Sequence, residues 1–333
     1  MKKNVRYIKV ITLWILMVLI IFDPKAAINS VTSSIHTCIT SVIPGMFPLL
    51  FIGIALSSDL QNIRLPYLGK ILRIPGHISG LFLVSLFCGY PTGGKLIYNA
   101  VKKGSLDKET GKRMMVFCNN ASPAFIIGVL GVVFSNIWIA ISLWLIQIAT
   151  SLIIGVLFPQ TYAKTNVTIP TAKINSGNAL LEAIKAMSII CGWIIIFSVA
   201  LSYLDGWTHN IQSDVSIVLL KGALEITNGI LMLPNIRNLA LRFILSSTLL
   251  SFSGICIFLQ TYSVAPDLTT TSYVIGRLFH TAVSAILSTV LSLVIFSTDM
   301  HIMRCIPLLL CVVVLGFIMI YFNKKTVAIK KTM

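Results

Sequence analysis

The sequence predicts an all-α polytopic membrane protein, with about eight membrane-crossing helices, two re-entrant hairpins and inverted structural repeats. Three observations carry that reading. Of 333 residues, 56% are hydrophobic and only 11% charged, and the mean hydropathy is +0.91. Uncharged runs such as 114–163 and 278–298 recur along the chain, and about 20 apolar residues in a helix cross a bilayer. Two of the apolar segments are interrupted by short Gly-, Pro- or Asn-containing motifs, and related motifs recur at one constant shift.

The net charge of +16 does not indicate a nucleic-acid partner, because the Lys and Arg residues sit between apolar runs, where basic residues hold cytoplasmic loops of membrane proteins. The partner it predicts is the lipid bilayer. Seven cysteines, odd in number and without a Cys-x-x-Cys pair, read as small packing residues, not as disulfides or a metal site. No cofactor is implied. The segment 1–27, with Lys2, Lys3, Arg6 and Lys9 ahead of a short apolar run to Phe22, reads as a signal-anchor span because no small-x-small cleavage site follows.

Apolar segments fall at 7–22, 35–57, 75–98, 112–133, 135–158, 180–204, 215–233, 238–263, 273–297 and 303–322. Two of these read poorly as simple spans. The segment 75–98 is interrupted by Gly89-Tyr90-Pro91-Thr92-Gly93-Gly94, and 215–233 carries Lys221 and Glu225 before Thr227-Asn228-Gly229. Both suit hairpins that enter and leave on one side, which a membrane tolerates where broken backbone is buried in protein or lines a cavity.

Thr92-Gly93-Gly94 matches Thr227-Asn228-Gly229 at a shift of 135, and Phe117-Cys118-Asn119 matches Phe252-Ser253-Gly254 at the same shift. Two repeats are therefore expected, at 28–158 and 178–297, followed by a last span and basic tail at 298–333. With both hairpins turning back the chain crosses eight times, and 21 of 26 basic residues fall on the cytoplasmic side with both termini. The repeats are then inverted, as in many secondary transporters of the cell membrane.

An enzyme is not expected. The ten acidic residues form no cluster able to hold a catalytic metal, and no His-Glu-x-x-His, Gly-x-Ser-x-Gly or P-loop occurs. Four clusters remain as candidate binding sites. Thr92, Gly93 and Gly94 lie in the first hairpin break and Lys95 follows it, where bared backbone groups and helix ends can face a ligand; the alternative is a close-packed turn. Asn119, Asn120 and Ser122 precede Pro123 and offer carboxamides suited to a base edge or sugar hydroxyl, or serve interhelix hydrogen bonding. Glu225, with Thr227 and Asn228, is the one carboxylate well inside an apolar segment, a functional group by default unless it neutralises Lys95 or Arg237. Gln260, with Ser251 and Ser253, flanks Gly254. Gln147, Arg277 and His280 read as isolated interhelix or snorkelling residues.

These clusters carry a resemblance. Cys88-Gly-Tyr-Pro-Thr-Gly-Gly-Lys, Phe117-Cys-Asn-Asn-Ala-Ser-Pro, Ala223-Leu-Glu-Ile-Thr-Asn-Gly and Leu250-Ser-Phe-Ser-Gly-Ile, with Gln260, resemble the YlbJ-type sporulation integral membrane proteins, which carry a nucleoside-recognition Gate domain. The resemblance runs over nearly the whole chain. It implies a role in endospore formation and a relation to carriers whose paired hairpins hold a nucleoside and a coupling cation. Thr92, Asn119, Asn120, Glu225, Thr227 and Asn228 occupy the corresponding positions. Lys95 stands where such a carrier has a carboxylate, which suits an anionic or zwitterionic solute. The expected function is a secondary transporter or exporter of a small polar solute, coupled to a cation or proton. The alternative is a noncatalytic membrane scaffold for partner proteins of sporulation.

Overall fold

The computed structural model describes residues 2–60, 65–76, 78–158, 176–208 and 213–296. Among them every regular element is helical, and six helices are long and apolar enough to cross a membrane: Pro24–Leu56, Lys108–Val133, Ile137–Leu157, Gly177–Leu204, Leu239–Val264 and Thr271–Ile295. These cover six of the eight expected crossings. The first, 7–22, lies in α1 (Lys2–Phe22), whose apolar part Val10–Phe22 is shorter than the others. The last, 303–322, lies outside the described residues.

The second span starts eleven residues earlier than its composition suggests. Asp23 caps α2 (Pro24–Thr37), accepting from Ala26 N at 3.1 Å, and the helix runs through a π-helical turn at Cys38–Val42 into α3 (Ile43–Leu60). The stretch that looks too polar carries hydroxyls that bond back along their own helix: Thr32 to Ile28 O, Ser34 to Ser30 O, Thr37 to Ser33 O and Thr40 to His36 O. Such back-bonding hides a hydroxyl without help from water.

After α4 (Pro66–Leu72) the chain reverses between α5 (Ser79–Cys88) and α6 (Thr92–Lys102). A Cβ on Gly93 would lie 3.1 Å from the Ser85 side chain, although eight residues of continuous helix span about 12 Å. There follow α7 (Lys108–Cys118), α8 (Pro123–Phe125), a second π-helical turn at Ile126–Leu130, α9 (Gly131–Val133) and α10 (Ile137–Leu157). The second half repeats this order. After the long α11 (Ser176–Thr208), α12 (Asp214–Leu224) and α13 (Ile226–Leu231) fold back on each other so closely that a Cβ on Gly229 would lie 2.7 Å from Gly222 N. A broken helix follows, α14 (Leu239–Phe252) and α15 (Gly254–Val264), and then α16 (Thr271–Ile295).

Helix α16 shows which solvent the fold is built for. Its buried stripe holds Arg277, His280, Ser284, Ser288 and Ser292, while Leu278, Phe279, Ile286, Val290 and Leu293 face outward. Polar-in, apolar-out is the pattern of a helix surrounded by lipid. The halves join where α11 lays Ala179, Ala183 and Ala186 against α2 and α3, small residues at helical spacing that permit close approach.

Two expectations need correction. The helix breaks fall at Gly89–Pro91 and at Glu225 itself, so Thr92-Gly93-Gly94-Lys95 is the first turn of α6 and Thr227-Asn228-Gly229 lies within α13. Pro91 has no amide to lose before α6, and the Glu225 carboxylate starts α13 as its cap. The loop-charge census counted Lys95, Arg113 and Arg277, yet all three are buried. Arg113 donates to Leu72 O at 2.7 Å, Arg73 O at 3.2 Å, Phe158 O at 3.3 Å and Gly155 O. One guanidinium thereby satisfies the C-terminal carbonyls of α4 and α10, which a helix leaves unpaired.

Candidate functional site

Four interruptions of helix, 89–91, 119–122, 225 and 253–254, are linked by close contacts and by hydrogen bonds from one arginine. Gly89 has φ +74°, and a Cβ there would lie 2.6 Å from the Ser122 side chain, so the first tip sits directly on the break in the α7–α8 helix. Tyr90 N donates to Asn120 O at 2.6 Å across that contact. In the second half Ser253 and Gly254 have φ +67° and +79°, and a Cβ on Gly254 would lie 3.0 Å from Gly222 O. The turn between α14 and α15 therefore rests on the C-terminal end of α12. Each half thus seats a folded-back helix pair against a broken long helix.

Arg277 ties the two broken helices together. Its side chain is buried, and it donates to Asn119 O at 3.0 Å, Asn120 Oδ1 at 3.4 Å, Leu250 O at 3.4 Å and Ser251 O. No carboxylate lies within ion-pair distance among the described residues. The charge is held instead by the C-terminal ends of α7 and α14, and each such end carries about half a negative charge. Two ends balance one guanidinium. Beside it a polar seam joins α10, α14 and α16: Gln147 donates to Ser251 Oγ at 2.9 Å and Ser284 Oγ at 3.3 Å, and Ser151 Oγ lies 3.3 Å from His280 Nε2.

The predicted residues divide between this frame and a cavity. Asn119 is fully engaged by protein: its Oδ1 accepts from Gly94 N at 3.3 Å, and its Nδ2 donates to Thr261 Oγ1 at 3.0 Å and Tyr273 Oη at 2.8 Å. Asn120 donates to Phe117 O at 2.8 Å. Gly93 lies so close to Cys118 O that a Cβ would overlap it, and Thr92 is buried with no partner for its hydroxyl. Lys95 does not meet Glu225. It pairs with Glu182 Oε2 at 2.7 Å and donates to Glu182 O at 3.1 Å, from α6 to α11.

Glu225 is 1% exposed and accepts three hydrogen bonds, from Thr227 N at 3.1 Å on Oε1, and from Asn228 N at 2.8 Å and Asn228 Nδ2 at 2.9 Å on Oε2. It lines a cavity with Ser122, Thr227, Gln260 and Tyr90. The apolar wall comes from α2–α3 and α11, including Val42, Met46, Ile190 and Ile194. Its volume, about 30 Å³, compares with roughly 10 to 15 Å³ for a single water on the same measure, so it has room for about two. The hydroxyl of Tyr90 and Oε1 of Gln260 are buried with no partner.

Sequence reasoning missed Tyr90 as a lining residue and Arg277 as the hub. Tyr90 stood inside a motif already singled out. Arg277 gave a usable signal, a charge in the second turn of an apolar segment with no acidic residue nearby in sequence, which is costly unless the fold supplies acceptors.

Compared with family models, curated proteins and solved structures, the chain matches none.

Proposed function

We propose that the chain is a secondary transporter or exporter of a small polar solute, of the YlbJ type and associated with endospore formation. One observation carries the reading: three helix breaks, at Tyr90 and Ser122 in the first half and at Glu225 in the second, line a cavity whose wall holds a carboxylate and two buried oxygens without partners. Unsatisfied buried polar atoms cost free energy in any membrane protein, and a static scaffold gains nothing from keeping them. A ligand would satisfy them. In this reading α5–α6 and α12–α13 are re-entrant hairpins, the halves are inverted repeats, eight helices cross the cell membrane and both termini are cytoplasmic. The matching order of elements in the two halves supports it.

The Lys95–Glu182 pair removes the reason for an anionic solute, because the buried cation of the first hairpin is already neutralised. The test is solute flux into proteoliposomes, guided by a melting screen of nucleosides, bases, amino acids and dicarboxylates; a solute at a hundred times its Kd stabilises by about 2.7 kcal/mol. Flux that Thr227→Val abolishes is the expected result. If no solute shifts melting or moves, and Ser122→Ala and Thr227→Val complement a null strain for sporulation, the scaffold reading replaces the carrier.

A further inference from the structure

We propose that Cys38 and Cys191 form a disulfide modification site that ties the first half of the molecule to the second. Both are free thiols, on the α2–α3 helix and on α11, the helices whose contact joins the halves. Two contacts fix the register of that seam. Tyr203 Oη donates to Asp23 O at 2.8 Å, and Val42 lines one cavity wall with Ile190 and Ile194. The residue number rises on one helix while it falls on the other, so the two run antiparallel. Cys38, one turn before Val42, then comes opposite Cys191, the residue after Ile190. Side-chain placement agrees. Cys38 is 3% exposed on the buried stripe of Ser34, Cys38 and Val42, Cys191 packs against the same core cluster, and the Cys38 thiol hydrogen-bonds to Cys191.

Distance permits the bond. Packed helices lie about 8 to 10 Å apart, and Ala179, Ala183 and Ala186 keep this seam close. With Cα atoms about 2.3 Å from each axis, facing Cα atoms come about 3.5 to 5.5 Å apart, and more where one stands to the side, as half-buried Cys191 does. A disulfide takes about 4.4 to 6.8 Å. Alanine fills the other small positions on this face of α11, so packing alone does not call for a thiol on both sides of the seam. Cys191 stands beside exposed Gly192, toward lipid, whereas Cys38 is enclosed. That difference orders the chemistry. The Cys191 sulfur attacks an oxygen of a membrane-soluble organic hydroperoxide: an S–O bond forms, the O–O bond breaks, and the alcohol leaves with the thiol proton. The Cys38 sulfur then attacks the resulting sulfenic acid, so that the S–S bond forms, the S–O bond breaks and water leaves with the second proton. Two thiols lose two electrons and two protons, and the hydroperoxide takes them as alcohol and water.

Val42 and Met46 on one side and Ile190 and Ile194 on the other form the apolar wall of the cavity, so the bond fixes α2–α3 against α11 beside it. That the bond also stops transport rests on the carrier reading; its formation does not. Wild-type protein in liposomes is reduced, treated with cumene hydroperoxide, blocked with iodoacetamide and digested without reductant for mass spectrometry. A peptide pair joined through Cys38 and Cys191 is expected, lost on dithiothreitol treatment and absent from Cys38→Ala and Cys191→Ala. Oxidation should raise the Tm of wild type and of neither variant. It should also lower solute flux at least tenfold, with recovery on reduction. If the joined pair does not form, or forms without raising Tm, the inference is overturned. Unchanged flux through cross-linked protein overturns the tie as well. If the pair forms and raises Tm while reduced protein moves no solute, the disulfide site stands and the carrier reading falls.

Discussion

Replacing Arg277 by Met tests the frame on which the site is built. The guanidinium supplies the hydrogen bonds that satisfy Asn119 O, Leu250 O and Ser251 O at two helix breaks, and a fourth to Asn120 Oδ1. Methionine fills much of the volume and supplies none of them. Three backbone carbonyls at about 1 to 3 kcal/mol each set an upper range of about 3 to 9 kcal/mol, and water entering the vacated space reduces it. Breaking one partner of a buried charged network typically costs about 3 to 5 kcal/mol, so that is the expected loss. At about 2 °C per kcal/mol for a large chain, Tm in detergent should fall by about 6 to 10 °C. Arg277→Lys should recover less than half of the loss, since one ammonium cannot reproduce a fork that reaches two helix ends. Melting of the two variants and of wild type, with complementation of a null strain, measures this directly. An Arg277→Met protein that melts within 2 °C of wild type and complements fully would show that the carbonyls need no cation, and the account of the hub would be wrong.

Lys95→Met should destabilise modestly, and Glu182→Gln should compensate it while Glu225→Gln does not; a double-mutant cycle on Tm reads the coupling, expected at about 0.5 to 1 kcal/mol because Glu182 is partly exposed. Asn119→Ala should lose stability and function together, by about 2 to 3 kcal/mol, because Gly94 N, Thr261 Oγ1 and Tyr273 Oη all lose a partner; Asn120→Ala should lose less on the same melting assay. Gly93→Ala should prevent stable folding, since its Cβ would overlap the Cys118 carbonyl, whereas Gly192→Ala, with nothing within 4 Å, should be neutral or raise stability by up to about 1 kcal/mol; yield of monodisperse protein separates them. Labelling of Lys102→Cys, an exposed position in a background without native cysteines, should occur from the cytoplasmic side, and labelling only from outside would end the eight-crossing arrangement.

Much of the architecture is legible in the sequence because its determinants are local. A run of apolar residues is long enough to span a bilayer or it is not, and Pro91, Pro123 and Gly254 interrupt helices wherever the rest of the chain lies. The recurrence of motifs at a shift of 135 is also a property of the sequence alone, and along the chain a folded-back helix pair is twice followed by a broken helix. The beginning of the second span was not legible, because Ser and Thr count as polar in composition although their hydroxyls are satisfied within their own helix.

The composition of the site was decided by tertiary structure. Glu225 was visible as a deep carboxylate, but whether it meets Lys95 depends on how α6 packs against α11, and Lys95 finds Glu182, 87 residues away. Arg277 looked like a stray charge on a span because its partners are backbone carbonyls up to 158 residues distant, which no side-chain pattern records. Tyr90 and Gln260 come to line one cavity only through tertiary packing. Spans and breaks follow from the preferences of neighbouring residues; pairing across the molecule follows from packing register, and a shift of one helical turn would give each of these groups a different partner.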